Sequence, residues 1–273
     1  MSFTLYRPET VEEAVNFQTE FDGKYLAGGT VALVQAHRHM DIGAHQISLA
    51  GIGKLKEIRL KDNVLSIGSM VTMTELEESV TVKNEAFALW QAASEVGGPQ
   101  IRNLATIGGN LAAASPSSDC ATPLLSLGAR LVVFGKNGYQ TIEIRNFFLG
   151  RFHHVLSPDE LIVSVDIPCV SCRVSAFRKV GKRNALAVSC INMAIVREGG
   201  KIDVSVGAAA PKTVYCEKTS AFLTEHPEGI KEAAEILKTE ICPIDDRWAS
   251  ASYRLTVSGN LLKELLKETE EDK

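Results

Sequence analysis

Two short glycine pairs are where this chain could do chemistry with its backbone. The longer stretch, residues 99–119, reads PQIRNLATIGGNLAAASPSSD and centres on Gly108 and Gly109, with Thr106 and Asn110 beside them. A shorter version, residues 24–33, reads KYLAGGTVAL and centres on Gly28 and Gly29, followed by Thr30. Glycine lets main-chain N–H groups approach a ligand without an intervening side chain and tolerates positive φ. Threonine, asparagine and serine add donors and acceptors for phosphate, ribose or amide groups. Successive N–H groups in such a turn make a concavity for anions, and a strand running through it into a helix start makes a phosphate seat. Two such turns suit the two phosphates of one dinucleotide. Neither is a GxGxxG or a GxxxxGK[ST] motif, and a glycine pair can also be no more than a tight turn.

Other chemistries find less support. Six cysteines are scattered, and Cys169 and Cys172 form a lone CxxC with no second pair. That falls short of a zinc site and of the grouped thiolates of an iron–sulfur cluster. His37 and His39 lie two apart and point to different helix faces, which reads as a solvated surface. No Ser-His-Asp set is apparent. The chain has 273 residues, 45% hydrophobic and 23% charged, with a net charge of −4. This is the profile of a globular protein with no electrostatic footprint for nucleic acid. It lacks an 18-residue apolar run and a leader pattern in MSFTLYRPET, so a cytoplasmic location is expected.

The elements that must hold these turns can be read coarsely. Residues 1–55 alternate: a capped helix from Thr10 through Phe17, a strand over 24–27, a helix over 31–39 and a strand over 45–49, suggesting a βαβ unit. Residues 56–170 carry a hairpin over 58–67, a helix starting at Thr74, and a second helix over 85–95 burying Phe87, Leu89, Trp90 and Ala93. The long glycine stretch follows, then an apolar helix over 121–127, a hairpin over 131–144 and a strand from Leu161 ending at Pro168. Residues 171–273 read as strands over 175–180, 188–197 and 201–206, then helices, with an acidic tail over 268–273 expected to fray. Strands followed by helices indicate an α+β arrangement.

The pattern resembles the FAD-binding subunits of the molybdenum hydroxylases, the xanthine dehydrogenase and carbon monoxide dehydrogenase family. The resemblance covers nearly the whole chain. It rests on AGGT at 27–30, GGPQIRNLATIGGN at 97–110 and SPSSD at 115–119. It continues in DELI at 159–162, FRKVGKRNALAVS at 177–189 and DRWASASYR at 246–254. The run IRNLATIGGN is the specific part. The resemblance implies an α+β fold: a two-part FAD-binding domain of the vanillyl-alcohol-oxidase (PCMH) type, residues 1–55 and 56–170, then a smaller C-terminal domain with an antiparallel sheet, residues 171–273.

Carried over position by position, the resemblance implies that Lys24, Tyr25, Leu26, Ala27, Gly28, Gly29, Thr30, Val31 and Ala32 wrap the FAD pyrophosphate. Ala105, Thr106, Ile107, Gly108, Gly109 and Asn110 form a second contact loop. Asp119 would accept from a ribose or ribityl hydroxyl, or cap the following helix, or both. Leu161 and Ile162 would meet adenine through their backbone, and Gly97, with Gly98, would shape the chain beside the flavin. Lys179 would reach the flavin or its phosphates, or else be a surface lysine. Arg102 and Asn103 read as braces for the loop. Arg178, Lys182 and Arg183 form a basic cluster, either a solvated strand end or a contact for NAD phosphates or an acidic partner. Many relatives have Asp after AGGT; here Val31 stands there, which alters fine contacts but not a seat made of backbone. No residue of this chain is expected to be catalytic or to bind metal.

The implied function is electron transfer: FAD on this chain, iron–sulfur clusters on a small subunit, the molybdenum cofactor on a large subunit, and NAD or another acceptor downstream. Purine, as xanthine, is the first expectation for the substrate, with nicotinate or another N-heterocycle second. A stand-alone flavin oxidoreductase and a cofactor-free assembly subunit are the competing readings.

Overall fold

A computed structural model describes residues 3–183 and 187–271. Residues 184–186 of the 177–189 motif, and the last two residues of the acidic tail, lie outside the described residues. The chain begins with β1 (Thr4–Tyr6), α1 (Val11–Phe21), β2 (Lys24–Leu26), α2 (Ala32–His37) and β3 (His45–Ser48). These three strands form a parallel sheet in the order β1-β3-β2, as βαβ connections require. Thr10 caps α1 by accepting from the N–H of Glu13 at 3.1 Å, while the Glu13 carboxylate accepts from Glu9 N at 2.9 Å. The expected helix over 31–39 is only the six-residue α2. It has no buried residue and is not held by packing against the core.

The middle of the chain builds β4 (Ile58–Lys61), β5 (Val64–Gly68), then α3 (Met73–Glu78), α4 (Val80–Glu85), α5 (Phe87–Ser94), α6 (Pro99–Arg102), α7 (Ile107–Ala112) and α8 (Ala121–Ser126). It continues with β6 (Arg130–Gly135), β7 (Gly138–Glu143), β8 (Phe148–Gly150), β9 (His153–His154) and β10 (Leu161–Pro168). Five strands make an antiparallel sheet in the order β4-β5-β10-β6-β7. The β4–β5 turn, Asp62-Asn63, has positive φ at both residues, matching the right-handed twist of a two-residue hairpin.

Two sequence expectations shift here. The helix expected from Thr74 is capped at Thr72, whose side chain accepts from Glu75 N while the Glu75 carboxylate reaches back to Thr72 N. The helix expected over 85–95 is α5, which starts only at Phe87, because α4 ends at Glu85 and Ala86 separates the two. The buried set of α5 is Ala88, Leu89, Ala92 and Ala93, with Trp90 only half-buried. The reason is that α5 packs on two sides: Leu89 and Ala93 in the core of its own sheet, Ala88 and Ala92 against Phe177 and Ala194 of the last sheet. Alanines permit that close approach, and the indole settles at the rim with Nε1 donating to Glu77 O at 2.6 Å.

The last part holds β11 (Val174–Gly181), β12 (Ser189–Glu198), β13 (Lys201–Gly207) and β14 (Val214–Tyr215) in an antiparallel sheet of that order, then α9 (Glu217–Glu225), α10 (Ile230–Glu240) and α11 (Ala251–Glu271). The helices cover one face of the sheet around Ile195, Val204, Leu223, Leu237 and Leu262. The fraying expected of residues 268–271 is not observed: they belong to α11, with Glu268 paired to Arg178 at 2.6 Å and Glu270 to Arg197 at 2.9 Å. The α+β class and the antiparallel C-terminal sheet stand as expected.

Candidate functional site

The first glycine turn links β2 to α2, and its glycines are needed for different reasons. A Cβ on Gly28 would stand 1.6 Å from Leu104 O, so the two glycine stretches meet backbone to backbone at this point. Gly29 has φ +73°, a conformation L-residues resist. The N–H groups of Gly28, Gly29, Thr30, Val31 and Ala32 have no protein acceptor among the described residues. Val31 is half exposed and supplies no polar group, so beyond the Thr30 hydroxyl this turn offers backbone donors.

The second turn uses its backbone differently. Ile107 N donates to Val71 O at 3.0 Å, Gly108 N to Ser69 O at 2.8 Å, Gly109 N to Thr106 Oγ1 at 3.1 Å and Asn110 N to Thr106 O at 2.9 Å. The anion-binding concavity expected from these successive amides is therefore corrected: every one of them is committed within the protein. Gly108 is needed because a Cβ there would lie 2.5 Å from Ser69 Cβ. The turn instead presents the bare Cα of Gly109 and the side chain of Asn110, whose Oδ1 accepts from Ser118 Oγ at 2.5 Å, leaving its amide donors available.

Both turns border one cavity of about 1050 Å³, at the upper end of ligand-site volumes. Its wall brings together Lys24 through Ala32, Gly97, Ala105, Thr106, Gly108, Gly109, Asn110, Asp119, Leu161, Ile162 and Lys179. Ile107 is the exception among the expected residues: it is fully buried in the core of the middle sheet. Ser69, Met70, His154, Leu156, Ser157 and Pro158 also line the cavity. No motif marked them, because they arrive from a strand end and a small hairpin distant in sequence. Leu161 and Ile162 begin β10, opposite Phe134 and Val133. The Tyr25 hydroxyl donates to Asp159 O at 2.8 Å, and burial raises its phenol pKa above the ordinary value.

One wall is polar and buried. Asp119 Oδ2 pairs with Lys179 Nζ at 2.6 Å, and Oδ1 accepts from Ser189 Oγ at 2.5 Å and Asn192 Nδ2 at 2.9 Å. Lys179 also donates to Glu95 O at 2.9 Å. The surface-lysine reading of Lys179 is overturned: its side chain is 6% exposed. Asp119 does not cap the next helix; Ser118 Oγ accepts from Ala121 N instead, at 3.2 Å. Burial lifts the pKa of the neighbouring Glu95 carboxyl, an effect Lys179 partly offsets. A second cavity of about 610 Å³, bordered by Glu95 and Arg102, shares Gly97 and Lys179 with the first. Arg102 pairs with Glu77 at 2.8 Å, and Thr74 Oγ1 donates to Asn103 Oδ1 at 2.7 Å, so both act as braces. Of the basic cluster, Arg178 is engaged by Glu264 and Glu268 on α11, and Lys182 by the carbonyl of Arg247.

These features fit a dinucleotide. The free amides of the first turn suit phosphate oxygens, and a Cβ on Gly109 would fill the cradle between the turns, 3.0 Å from Thr106 Oγ1 and 3.5 Å from Ala27 Cβ. Buried Ser69 Oγ, without a hydrogen-bond partner among the described residues, adds an unused donor at the wall.

Comparison with known proteins agrees. Residues 1–170 match the family described as FAD binding domain in molybdopterin dehydrogenase, and residues 175–269 the CO dehydrogenase flavoprotein C-terminal domain. The chain is similar to the xanthine dehydrogenase FAD-binding subunit of Escherichia coli O157:H7, at 30% identity over 97% of this chain and 95% of that one. It is 31% identical to the nicotinate dehydrogenase FAD-subunit of Eubacterium barkeri, over 86% and 79%. Among solved structures, carbon monoxide dehydrogenase from Hydrogenophaga pseudoflava superposes with a TM-score of 0.94 at 27% identity, covering 99% of this chain and 98% of that one.

Proposed function

The chain belongs to the family of FAD-binding subunits of molybdopterin dehydrogenases, and from that premise we propose that it carries electrons through FAD within a molybdenum hydroxylase complex. Its donor is an iron–sulfur subunit, itself fed by a molybdenum-binding subunit, and its acceptor is NAD or another oxidant. The observation that carries this reading is the shared cavity, with free amides on one glycine turn and a bare glycine face on the other.

Bound FAD supplies the redox chemistry, taking up two electrons and releasing them singly or together; the protein binds and orients it. The amides of Gly28 through Ala32 hold the pyrophosphate against positive backbone dipoles. Asn110 donates from the facing turn. Leu161 and Ile162 offer an apolar edge with backbone groups for the adenine. Lys179, fixed by Asp119 and the Glu95 carbonyl, holds a positive charge at the wall between the two cavities, where an acceptor entering the smaller cavity would lie beside the cofactor. The three-part division at 1–55, 56–170 and 171–273 belongs to the same proposal, supported by one main sheet in each part, with the small β8–β9 pair added in the second. So does a cytoplasmic location; no helix among the described residues is long and apolar enough to cross a membrane.

Xanthine or a related purine is the proposed substrate of the complex, supported by similarity across nearly the full chain. Nicotinate is the second reading, supported by 31% identity over a shorter span. Native purification with an absorbance spectrum and metal analysis tests the assembly. A flavin spectrum with iron, molybdenum and two partner chains is the expected result. A lone yellow protein that oxidises a substrate without partners would favour a stand-alone flavin oxidoreductase, and a colourless one would reject the FAD assignment. Assays of the purified complex with xanthine and with nicotinate separate the two substrates.

A further inference from the structure

The motif DRWASASYR, residues 246–254, touches none of the cavity, yet its buried arginine is tied to two segments that hold residues of its wall. Arg254 is 4% exposed. Its Nη1 donates to Cys190 O at 2.8 Å and also to Ala208 O, and its Nη2 donates to Asp246 Oδ1 at 2.6 Å. The same Asp246 oxygen accepts from Trp248 N at 2.8 Å and Ala249 N at 3.1 Å, folding residues 246–249 into a closed turn at the start of α11. Burial opposes the charge on Asp246, but these two amides and the guanidinium outweigh it and hold the carboxyl below its usual pKa.

The two carbonyls gripped by Arg254 are not arbitrary. Cys190 follows Ser189, whose hydroxyl holds Asp119 at the cavity wall, and Cys190 Sγ contacts Trp248 O at 3.4 Å. Ala208 sits at φ +60°, an unfavourable conformation for a residue with a Cβ. In that conformation its N–H reaches Pro116 O at 2.7 Å, in the middle of the SPSSD loop. Ser115, Ser117, Ser118 and Asp119 of that loop all line the cavity. One guanidinium therefore fixes both the strand end that holds Asp119 and the strained alanine that holds the loop. A buried guanidinium is rigid and forked, which suits it to setting two backbone segments at once.

We propose that Arg254, oriented by Asp246, is a positioning residue for the cofactor: it sets Asp119 and the Ser115–Ser118 loop against FAD from outside the cavity. The inference rests on the FAD reading above. The test compares full-length wild type with Arg254→Lys and Asp246→Asn, and with Glu143→Gln as a control at an exposed ion pair. FAD dissociation constants, the visible circular dichroism of bound FAD, and thermal midpoints with and without FAD are recorded. Wild type that does not bind FAD would refute the FAD reading itself, independently of this one. Given binding by wild type, we expect Arg254→Lys and Asp246→Asn to weaken FAD at least about ten-fold and to change its visible dichroism, with the control unchanged. Asp246→Asn is nearly isosteric and leaves both carbonyl bonds of Arg254, so it decides the matter if Arg254→Lys does not fold. Affinity and dichroism like wild type, with only a lower thermal midpoint, would assign the pair to general stability and overturn the proposal. Failure of both variants to fold would do the same.

Discussion

The two glycine turns are near-synonyms in sequence and opposites in structure. The turn at AGGT leaves five consecutive amides, Gly28 through Ala32, without acceptors among the described residues, leading into a short helix with nothing buried. TIGGN directs the amides of Ile107 through Asn110 into the protein, toward Val71, Ser69 and Thr106, and buries Ile107 completely. On the reading proposed above, the first is a surface whose open amides face the cofactor. The second is a wall already satisfied, whose contribution is shape at Gly109 and one side-chain amide at Asn110. A glycine pair thus signals close approach, but the partner can be a cofactor or another strand of the same chain.

The largest effect expected from testing this contrast is at Gly28. Gly28→Ala would drive a methyl into Leu104 O and should cost about 3 kcal/mol or more, read as a lower denaturation midpoint of the FAD-free protein. A stability like wild type would mean that the turns do not meet as described.

Gly109→Val should leave a folded chain and weaken FAD by about a hundred-fold or more, close to 3 kcal/mol, since its side chain enters the cradle rather than the core. Flavin content of the purified variant reads this directly, and unchanged content would remove the second turn from the site.

Hydrogen exchange sharpens the comparison without mutation. Saturating FAD should slow exchange of the Gly28–Ala32 amides about ten-fold or more, while Ile107–Asn110, already hydrogen-bonded, should be protected in the apo-protein and change little. Equal protection of both turns by FAD would erase the distinction drawn here.

The smallest effect is at Thr106. Thr106→Ala removes the cap on Gly109 N and should cost about 1 kcal/mol of stability, with FAD affinity within a few-fold of wild type. A loss of affinity exceeding the loss of stability would make the Thr106 hydroxyl a direct ligand contact.

Much of the fold was legible because it is written locally. The hairpins at 58–67 and 131–144 carry alternating apolar residues around turn residues, and the cap at Thr10 precedes an amphipathic run. The misreadings occurred where tertiary contacts override local pattern. The buried face of α5 is displaced because Phe177 and Ala194, some 80 to 100 residues later, pack on it as well. The helix after AGGT is short because no core residue holds it. Residues 268–271 are ordered because Arg178 and Arg197, far back in the sequence, take their carboxylates.

The sequence by itself determined the family, the glycine positions and the polar residue types that a dinucleotide needs, since these are demands on single residues and short spacings. Only the tertiary structure decided which amides are free, that Lys179 is buried against Asp119, that Ser69 and the His154 hairpin reach the wall, and that Arg254 braces the loop from behind. Each of those depends on a partner brought in from another element, and a hydrogen bond is consumed or left open by where that partner lands.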